Sequence, residues 1–209
     1  MADDDDRRIT LSATQTIEEA PDYATFSTGV VSRAATAKDA LAANAKAMRN
    51  VVDGLTALGI AGKDVQTAQF NVSPLYTRQK NAPSRIDGFE VRNQLSVRIR
   101  NLADVGRTID AAAGLGANQF GSLDFGVSNT DALLDDARGK AIAAARRKAE
   151  LYAAAAGAKL GRVLTIDEGA RRDGGAPIVG RAMAMQESTP IASGAISLTV
   201  SVTVTWALE

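Results

Sequence analysis

Residues 196–206 read Ile-Ser-Leu-Thr-Val-Ser-Val-Thr-Val-Thr-Trp. Apart from Ile196, Leu198 and Trp206, the apolar positions are valines, and every residue between them is serine or threonine. This period-two alternation is typical of a strand with one buried and one solvated face. Residues 9–17 alternate in a similar way. The two segments predict antiparallel-rich sheets, each packed on one face against amphipathic helices, so we expect an α+β fold rather than a doubly wound α/β fold.

Five further strands are predicted between these two segments. They are Tyr23–Val31, Val65–Tyr76, Phe89–Arg100, Phe120–Val127 and Leu160–Asp167. The turn residues Pro21-Asp22 favour a hairpin between the first strand and Tyr23–Val31. Pro74 places Val65–Tyr76 at a sheet edge or ends that strand, because proline donates no backbone hydrogen bond.

Three helices are predicted from apolar residues at steps of three and four. The first begins at the capping box Thr36–Asp39 and ends at Gly59. Its apolar face consists of Leu41, Ala45, Met48, Val52 and Leu55. The second covers residues 102–115 and ends at Gly116. The third runs from Asn129 or Thr130 to about Ala156 and stops at Gly157. This long helix is Ala-rich, and its face consists of Leu134, Ala137, Ala141, Ala145, Ala149, Tyr152 and Ala156.

Composition excludes several classes of function. The chain has 24 basic and 24 acidic residues and therefore no net charge, whereas a nucleic-acid binder shows a basic excess or stripe. Residues 1–8, with Asp3–Asp6 before Arg7-Arg8, are interpreted as a solvated tail. The chain has neither cysteine nor histidine, which removes disulfides, thiolate nucleophiles, the commonest transition-metal ligands and the usual general base. No cofactor site is expected.

No apolar stretch approaches the length of a membrane span. Met1 leads directly into acidic residues, which is not the pattern of a signal peptide. The chain is therefore either cytoplasmic or the mature form of an exported protein, and the Met-Ala start before an acidic tail favours the second interpretation. Leu208-Glu209 is interpreted as a remnant of cloning.

Familiar catalytic motifs are absent from the sequence. A serine triad needs a histidine. Gly62-Lys63 and Gly139-Lys140 lack the following Ser or Thr of a phosphate-binding loop. Only carboxylates remain as acid–base candidates, at Glu18-Glu19, Asp135-Asp136 and Asp167-Glu168. Because neighbouring side chains point apart, a hydrolase would need two carboxyls to converge from separate elements.

An ordered series of short motifs runs along the chain. It comprises Pro21-Asp22, Phe70, Pro74, Tyr76, Gly88-Phe89, Val97–Arg100, Gly116–Asn118, Phe125, Ala137-Arg138, Ala141, Ala145-Arg146, Lys148-Ala149, Gly157 and Leu160-Gly161. This series resembles the SIMPL-domain family of bacterial envelope proteins over residues 9–206. The chain departs from the family pattern at Ala13 and Gln15, where glycines are usual.

The resemblance implies a periplasmic or outer-membrane-associated α+β protein with no known catalytic residues. It also implies a loose link to oxidative-stress tolerance and, in some members, ring-like homo-oligomers. We therefore expect one SIMPL-like domain over residues 9–207, with a division into two lobes allowed, and peripheral association with the envelope.

Self-assembly of a non-enzymatic protein is the leading hypothesis from the sequence. The two terminal strands are nearly free of charge, and an unblunted strand edge recruits another chain. Alternatively, these strands pair with each other in one sheet. Residues 169–190 are expected to form a flexible loop that is ordered only in an assembly or with a partner. The candidate interface residues are Arg171, Arg172, Met183, Met185, Thr199 and Trp206. A second hypothesis is a binding module that uses this loop, and a third is a carboxylate-based hydrolase.

Overall fold

The computed structural model describes residues 7–77, 83–169 and 191–209. The strands are β1 (Arg8–Glu19), β2 (Tyr23–Ala34), β3 (Val65–Tyr76), β4 (Ile86–Ile99), β5 (Gln119–Gly126), β6 (Leu160–Glu168) and β7 (Ile196–Leu208). The helices are α1 (Ala37–Ala57), α2 (Val105–Gly114) and α3 (Thr130–Ala155), with single 3-10 turns at Gly62–Asp64 and Leu102–Asp104. The predicted α+β class is confirmed.

The chain divides into two compact units. Unit 1 contains the described residues of 7–20, 127–169 and 194–209, and unit 2 contains residues 21–77, 83–126 and 191–193. In both units the strands pair antiparallel.

Unit 1 is a three-stranded sheet in the order β1-β7-β6, with α3 packed on one face. The valines of β7 and Trp206 point towards α3 because side chains alternate along a strand. They meet the buried stripe of α3, which consists of Leu134, Ala137, Ala141, Ala145, Ala149 and Ala153. Because alanine has a short side chain, this stripe allows the helix to lie close to the sheet. Tyr152, which the sequence placed in this stripe, is instead exposed.

The opposite face of this sheet carries paired hydroxyl groups. Thr10, Ser12, Thr14 and Thr16 of β1 lie opposite Thr205, Thr203, Ser201 and Thr199 of β7. Each pair shares a hydrogen bond of 2.8–3.1 Å between side-chain oxygens. The two terminal strands therefore pair with each other along their length, which confirms the alternative that the sequence left open.

Unit 2 is a four-stranded sheet in the order β3-β4-β2-β5. Its core combines residues of β2 and β4 with α1 and α2. Fully buried members include Ala24 of β2, Val97 of β4 and Leu55 of α1. The face of the sheet opposite α1 is polar, with Thr25, Ser96 and Arg98 among its residues.

Glycines end all three helices, as predicted. Gly59, Gly116 and Gly157 have φ values of 90°, 107° and 71°, a left-handed conformation that glycine adopts without steric cost. After each glycine, the next N–H returns to a carbonyl five residues earlier, as in Ile60 N to Leu55 O at 3.1 Å. This is the Schellman arrangement, which satisfies carbonyls at a helix end.

The predicted hairpin between the first two strands is wrong. β1 pairs with β7 in unit 1, whereas β2 lies between β4 and β5 in unit 2. The backbone N–H of Asp22 binds the carbonyl of Gly126 at the end of β5, not a group on β1. Alternation identifies a strand and its buried face but does not select the partner, so adjacency in sequence was a poor guide here.

The apolar face predicted for α1 is displaced by one position along much of the helix. The structure buries Ala40, Asn44, Met48, Val51 and Leu55, and Leu41 is exposed. Asn44 explains the difference, because its amide donates to the carbonyl oxygens of Val30 at 2.8 Å and Val91 at 3.4 Å. A buried polar residue of this kind is invisible to hydrophobic periodicity.

The start of α1 gives a first test of the fold. The Oγ1 atom of Thr36 accepts the N–H of Asp39 at 3.1 Å, and the same hydroxyl donates to Oδ2 of Asp39 at 2.7 Å. Because Thr36→Ala leaves the N–H without this acceptor, we expect unfolding free energy to fall by about 1 kcal/mol in urea denaturation. Lys38→Ala, at an exposed position of the same turn, should change it by less than about 0.5 kcal/mol. Equal effects of the two substitutions would contradict the capping role.

Candidate assembly surface

The structure separates the predicted interface residues into three groups. Arg171, Arg172, Met183 and Met185 lie outside the described residues, as does most of the predicted 169–190 loop. Thr199 lies on β7, the central strand of the unit 1 sheet, where its backbone is paired with Thr16. Trp206 is 3% exposed and belongs to the unit 1 core, so its side chain packs inside the unit instead of facing a partner.

The edge strand β3 has the features expected of an assembly surface. It pairs on one side with β4 and ends the unit 2 sheet in the described chain, as Pro74 indicated. Over its twelve residues, Val-Gln-Thr-Ala-Gln-Phe-Asn-Val-Ser-Pro-Leu-Tyr, it carries no charged side chain. Charges, above all lysine, are a common device by which proteins keep such an edge from pairing with another chain.

Four exposed apolar residues alternate along the second half of β3. They are Phe70, Val72, Pro74 and Tyr76, which we call the β3 stripe. Phe70 is 55% exposed, Val72 37% and Tyr76 56%. Strand periodicity places Phe70, Val72 and Pro74 on one face of the sheet. Val72 lies opposite the buried Val91 of β4. This is therefore the same face that α1 covers on the strands β2 and β4.

The β3 stripe stays exposed because α1 does not extend over it. The buried residues of α1 pack against β2 and β4 in the unit 2 core. The apolar surface is continued by Ile86, the partner of Tyr76 in the register, which is 56% exposed. The result is a row of apolar side chains beside a backbone edge that no other described strand pairs with.

The other sheet edges are protected in the ways that native proteins use. β6 carries Arg162, Asp167 and Glu168. β5 has only eight residues, with Asp124 among them. β1 has charged residues at both ends, namely Arg8, Glu18 and Glu19. Among the strands that the structure describes, β3 therefore combines the longest uncharged edge with an apolar face.

A buried carboxylate lies on the other face of the sheet near β3. Glu90 of β4 is opposite Ser73 and 6% exposed. It accepts hydrogen bonds from Nε of Arg33 at 2.8 Å and Nε of Arg92 at 2.7 Å. These two guanidinium groups hold the pKa of Glu90 below its usual range. The cluster neutralises the carboxylate inside the sheet instead of presenting it to a substrate.

Two carboxylates that the sequence left as acid–base candidates converge on one arginine. Arg138 of α3 binds Glu168 of β6 at 3.0 Å and Asp135 at 2.8 Å. Hydrogen bonds that Arg138 donates to Glu168 and Asp135 raise the pKa of its guanidinium. The positive guanidinium lies between the two carboxylates and offsets part of their negative charge. The arrangement is therefore an ion-pair network that joins α3 to β6. In residues 7–77, 83–169 and 191–209, no three acidic side chains are grouped in a way that could hold a metal ion.

Comparison with known proteins identifies the family. The family model SIMPL, described as a protein of unknown function (DUF541), matches residues 9–206. The chain therefore belongs to the SIMPL family, as the motif series indicated. None of the helices in the described part of the chain is both long and apolar enough to cross a membrane.

Similar proteins occur in several bacteria. The 26 kDa periplasmic immunogenic protein of Brucella melitensis is 36% identical over 212 residues, covering 97% of this chain and 85% of that protein. The uncharacterized protein YggE of Edwardsiella ictaluri is 30% identical, covering 76% of this chain and 66% of its own length. YggE of Escherichia coli K12 is 31% identical and covers 78% of this chain.

Proposed function

We propose that this chain is a non-enzymatic periplasmic protein that acts by assembling with copies of itself through the edge of β3. The observation that carries the proposal is the combination of an uncharged edge strand with the exposed β3 stripe. The periplasmic placement is supported by the name of the Brucella relative. The family resemblance extends this proposal to a contribution to stress tolerance and to peripheral attachment at the outer membrane.

The free edge favours another strand as the occupant. A strand that docks there gains backbone hydrogen bonds, and its alternate side chains cover the apolar residues. Phe70, Val72 and Tyr76 are each more than a third exposed, and removing apolar surface from water is favourable by roughly 25 cal/mol per Å².

Charge favours a second copy of this chain over a different partner. When β3 pairs antiparallel with β3 of an identical chain, no like charges meet, because the strand has none. Such pairing is symmetric, so each copy offers the same surface and closes the other's edge. A strand with the composition of β6 would instead place the charged residues Arg162, Asp167 and Glu168 against the β3 stripe.

The mass of the protein in solution tests this proposal. The wild-type chain should sediment as a homo-oligomer at micromolar concentration, and Val72→Lys should shift it towards the monomer because a lysine blocks edge pairing. The matched control is Ala42→Lys, which adds the same charge at an exposed position of α1 and should keep the wild-type mass. Circular dichroism should show that both variants are folded.

Two outcomes would contradict the proposal. The first is a folded wild-type chain that remains monomeric at high micromolar concentration. The second is an oligomer that persists in Val72→Lys. If Met183→Asp with Met185→Asp dissociates that oligomer, the segment around these residues mediates assembly instead, because a charge buried in an interface is costly.

A further inference from the structure

A polar pocket lies on the face of the unit 2 sheet that α1 does not cover. It is lined by Thr25, Lys63, Asp64, Gln66, Ser96 and Arg98 and has a volume of about 140 Å³. None of these side chains is apolar. The pocket therefore suits a small hydrophilic ligand.

Sheet pairing brings these residues together from distant parts of the chain. Thr25 of β2 lies opposite Arg98 of β4, and Gln66 of β3 lies opposite Ser96. Ala24, which precedes Thr25, and Val97, which lies between Ser96 and Arg98, point into the core. Because side chains alternate along a strand, Thr25, Ser96 and Arg98 point to the outer face. The 3-10 turn Gly62–Asp64, which leads directly into β3, adds Lys63 and Asp64 at the rim.

The side chains that line the pocket carry a net positive charge. The carboxylate of Asp64 is already held by a two-point contact with Arg100, at 2.9 Å to Nε and 2.7 Å to Nη2. The hydrogen bonds from Arg100 keep the pKa of Asp64 below its usual range, so this carboxylate stays ionised and its charge is matched. Lys63 and Arg98 add two further positive charges.

The guanidinium of Arg98 is held in place on one side. Its central carbon lies 4.3 Å from the centre of the Tyr23 ring. A cation over an aromatic face is attracted to the ring, which favours this position of the guanidinium beside the pocket. Arginine in this position provides a planar, permanently charged donor group suited to phosphate.

We propose that this pocket binds a phosphate group, with Lys63 and Arg98 neutralising its charge and the hydroxyls of Thr25 and Ser96 and the amide of Gln66 donating hydrogen bonds. A volume of about 140 Å³ leaves room for several water molecules, which is enough for one phosphate group but not for a large apolar ligand. This site is independent of the β3 stripe, which lies on the opposite face of the sheet.

Titration calorimetry tests the site. The wild-type chain is titrated with inorganic phosphate and, separately, with glycerol 1-phosphate. Binding should be saturable and should weaken as salt is added. In Lys63→Gln with Arg98→Gln, affinity should fall about tenfold or more, because the two charges that pair with the phosphate are removed. The control is Lys46→Gln with Arg49→Gln, which removes the same charge from exposed positions of α1 and should leave affinity unchanged.

A third variant tests the sign of the electrostatic effect. Asp124 of β5 lies opposite Thr25 on the polar face, on the side away from Arg98. Its carboxylate repels an anion in the pocket, so Asp124→Asn should bind phosphate more tightly. Weaker binding in this variant would contradict the charge argument.

The source of the phosphate is distinguished by a second arm with vesicles. The pocket is assigned to a lipid headgroup if the protein co-sediments with phosphatidylglycerol vesicles but not with phosphatidylcholine vesicles, and if it does not bind the soluble phosphates. Saturable binding of the soluble phosphates assigns it to a free phosphate compound. The inference is overturned if neither arm shows binding, or if the Lys63–Arg98 variant, shown to be folded by its melting temperature, binds as tightly as the Lys46–Arg49 control.

Discussion

Trp206→Ala should lower the unfolding free energy of unit 1 by about 3–5 kcal/mol, the range for removing a large aromatic side chain from a core. Trp206 is 3% exposed and belongs to the buried cluster formed by the alanine stripe of α3 and the valines of β7. The surrounding alanines have short side chains that cannot extend into the vacated volume. Little collapse is therefore available to reduce the cost.

Urea denaturation followed by far-ultraviolet circular dichroism is the appropriate measurement. Trp206 is the single tryptophan of the chain, so fluorescence reports unit 1 in the wild type but is lost in the variant. Leu151→Ala is the control, because Leu151 on α3 is 67% exposed and its truncation should cost less than about 0.5 kcal/mol. A loss below about 1 kcal/mol for Trp206→Ala would show that the tryptophan does not support the core.

Glu90→Gln should destabilise unit 2 at neutral pH by roughly 1–3 kcal/mol, because it removes the carboxylate that pairs Arg33 and Arg92. The side chains of Arg33 and Arg92 are 67% and 50% exposed, so water screens their charges. The cost should therefore be smaller than the roughly 3–5 kcal/mol measured when a fully buried pair is broken.

The effect of Glu90→Gln should depend on pH in a defined direction. The pKa of Glu90 is lower in the folded chain than in the unfolded chain. Its contribution is therefore present in full above the unfolded pKa, near 4.3 for a glutamate, and is lost as the pH falls through the folded pKa. The wild type and the variant should differ most at neutral pH and converge in acid well below about pH 4.

Denaturant titrations at neutral and acidic pH check this behaviour. Asp135→Asn is the control, because Asp135 is 74% exposed in its ion pair with Arg138 and exposed pairs contribute about 0–1 kcal/mol. A constant difference between wild type and Glu90→Gln at all pH values would mean that the glutamine acts through packing and not through its missing charge.

Local features of the fold could be predicted from the sequence, because they depend on neighbouring residues. The cap at Thr36, the glycine helix ends and the alternation of β7 are all of this kind. The position of Asn44 could not be predicted, since its burial depends on carbonyls of β2 and β4. The pairing partner of β1 could not be predicted either, because its alternating pattern is compatible with pairing to β2 or to β7.

The candidate sites illustrate the same limit. Pro74 indicated an edge strand, and Phe70 and Tyr76 were noticed as members of the motif series. Their exposure, however, follows from the strand order and from the packing of α1 over β2 and β4 instead of over the second half of β3. The phosphate pocket has no local signal, because its residues extend from Thr25 to Arg98 and are assembled by the register of three strands.

Pairing between β1 and β7 also determines the order in which the chain can fold. Thr10 and Thr205 are 195 positions apart, whereas strands β2 to β5 of unit 2 lie within residues 23–126. Closing a longer loop costs more chain entropy and slows folding. During synthesis, unit 2 can therefore fold while β1 is still without its partner. A chain that is interrupted before β7 would carry β1 as an unpaired, threonine-rich segment, which makes truncated products of this protein prone to aggregation.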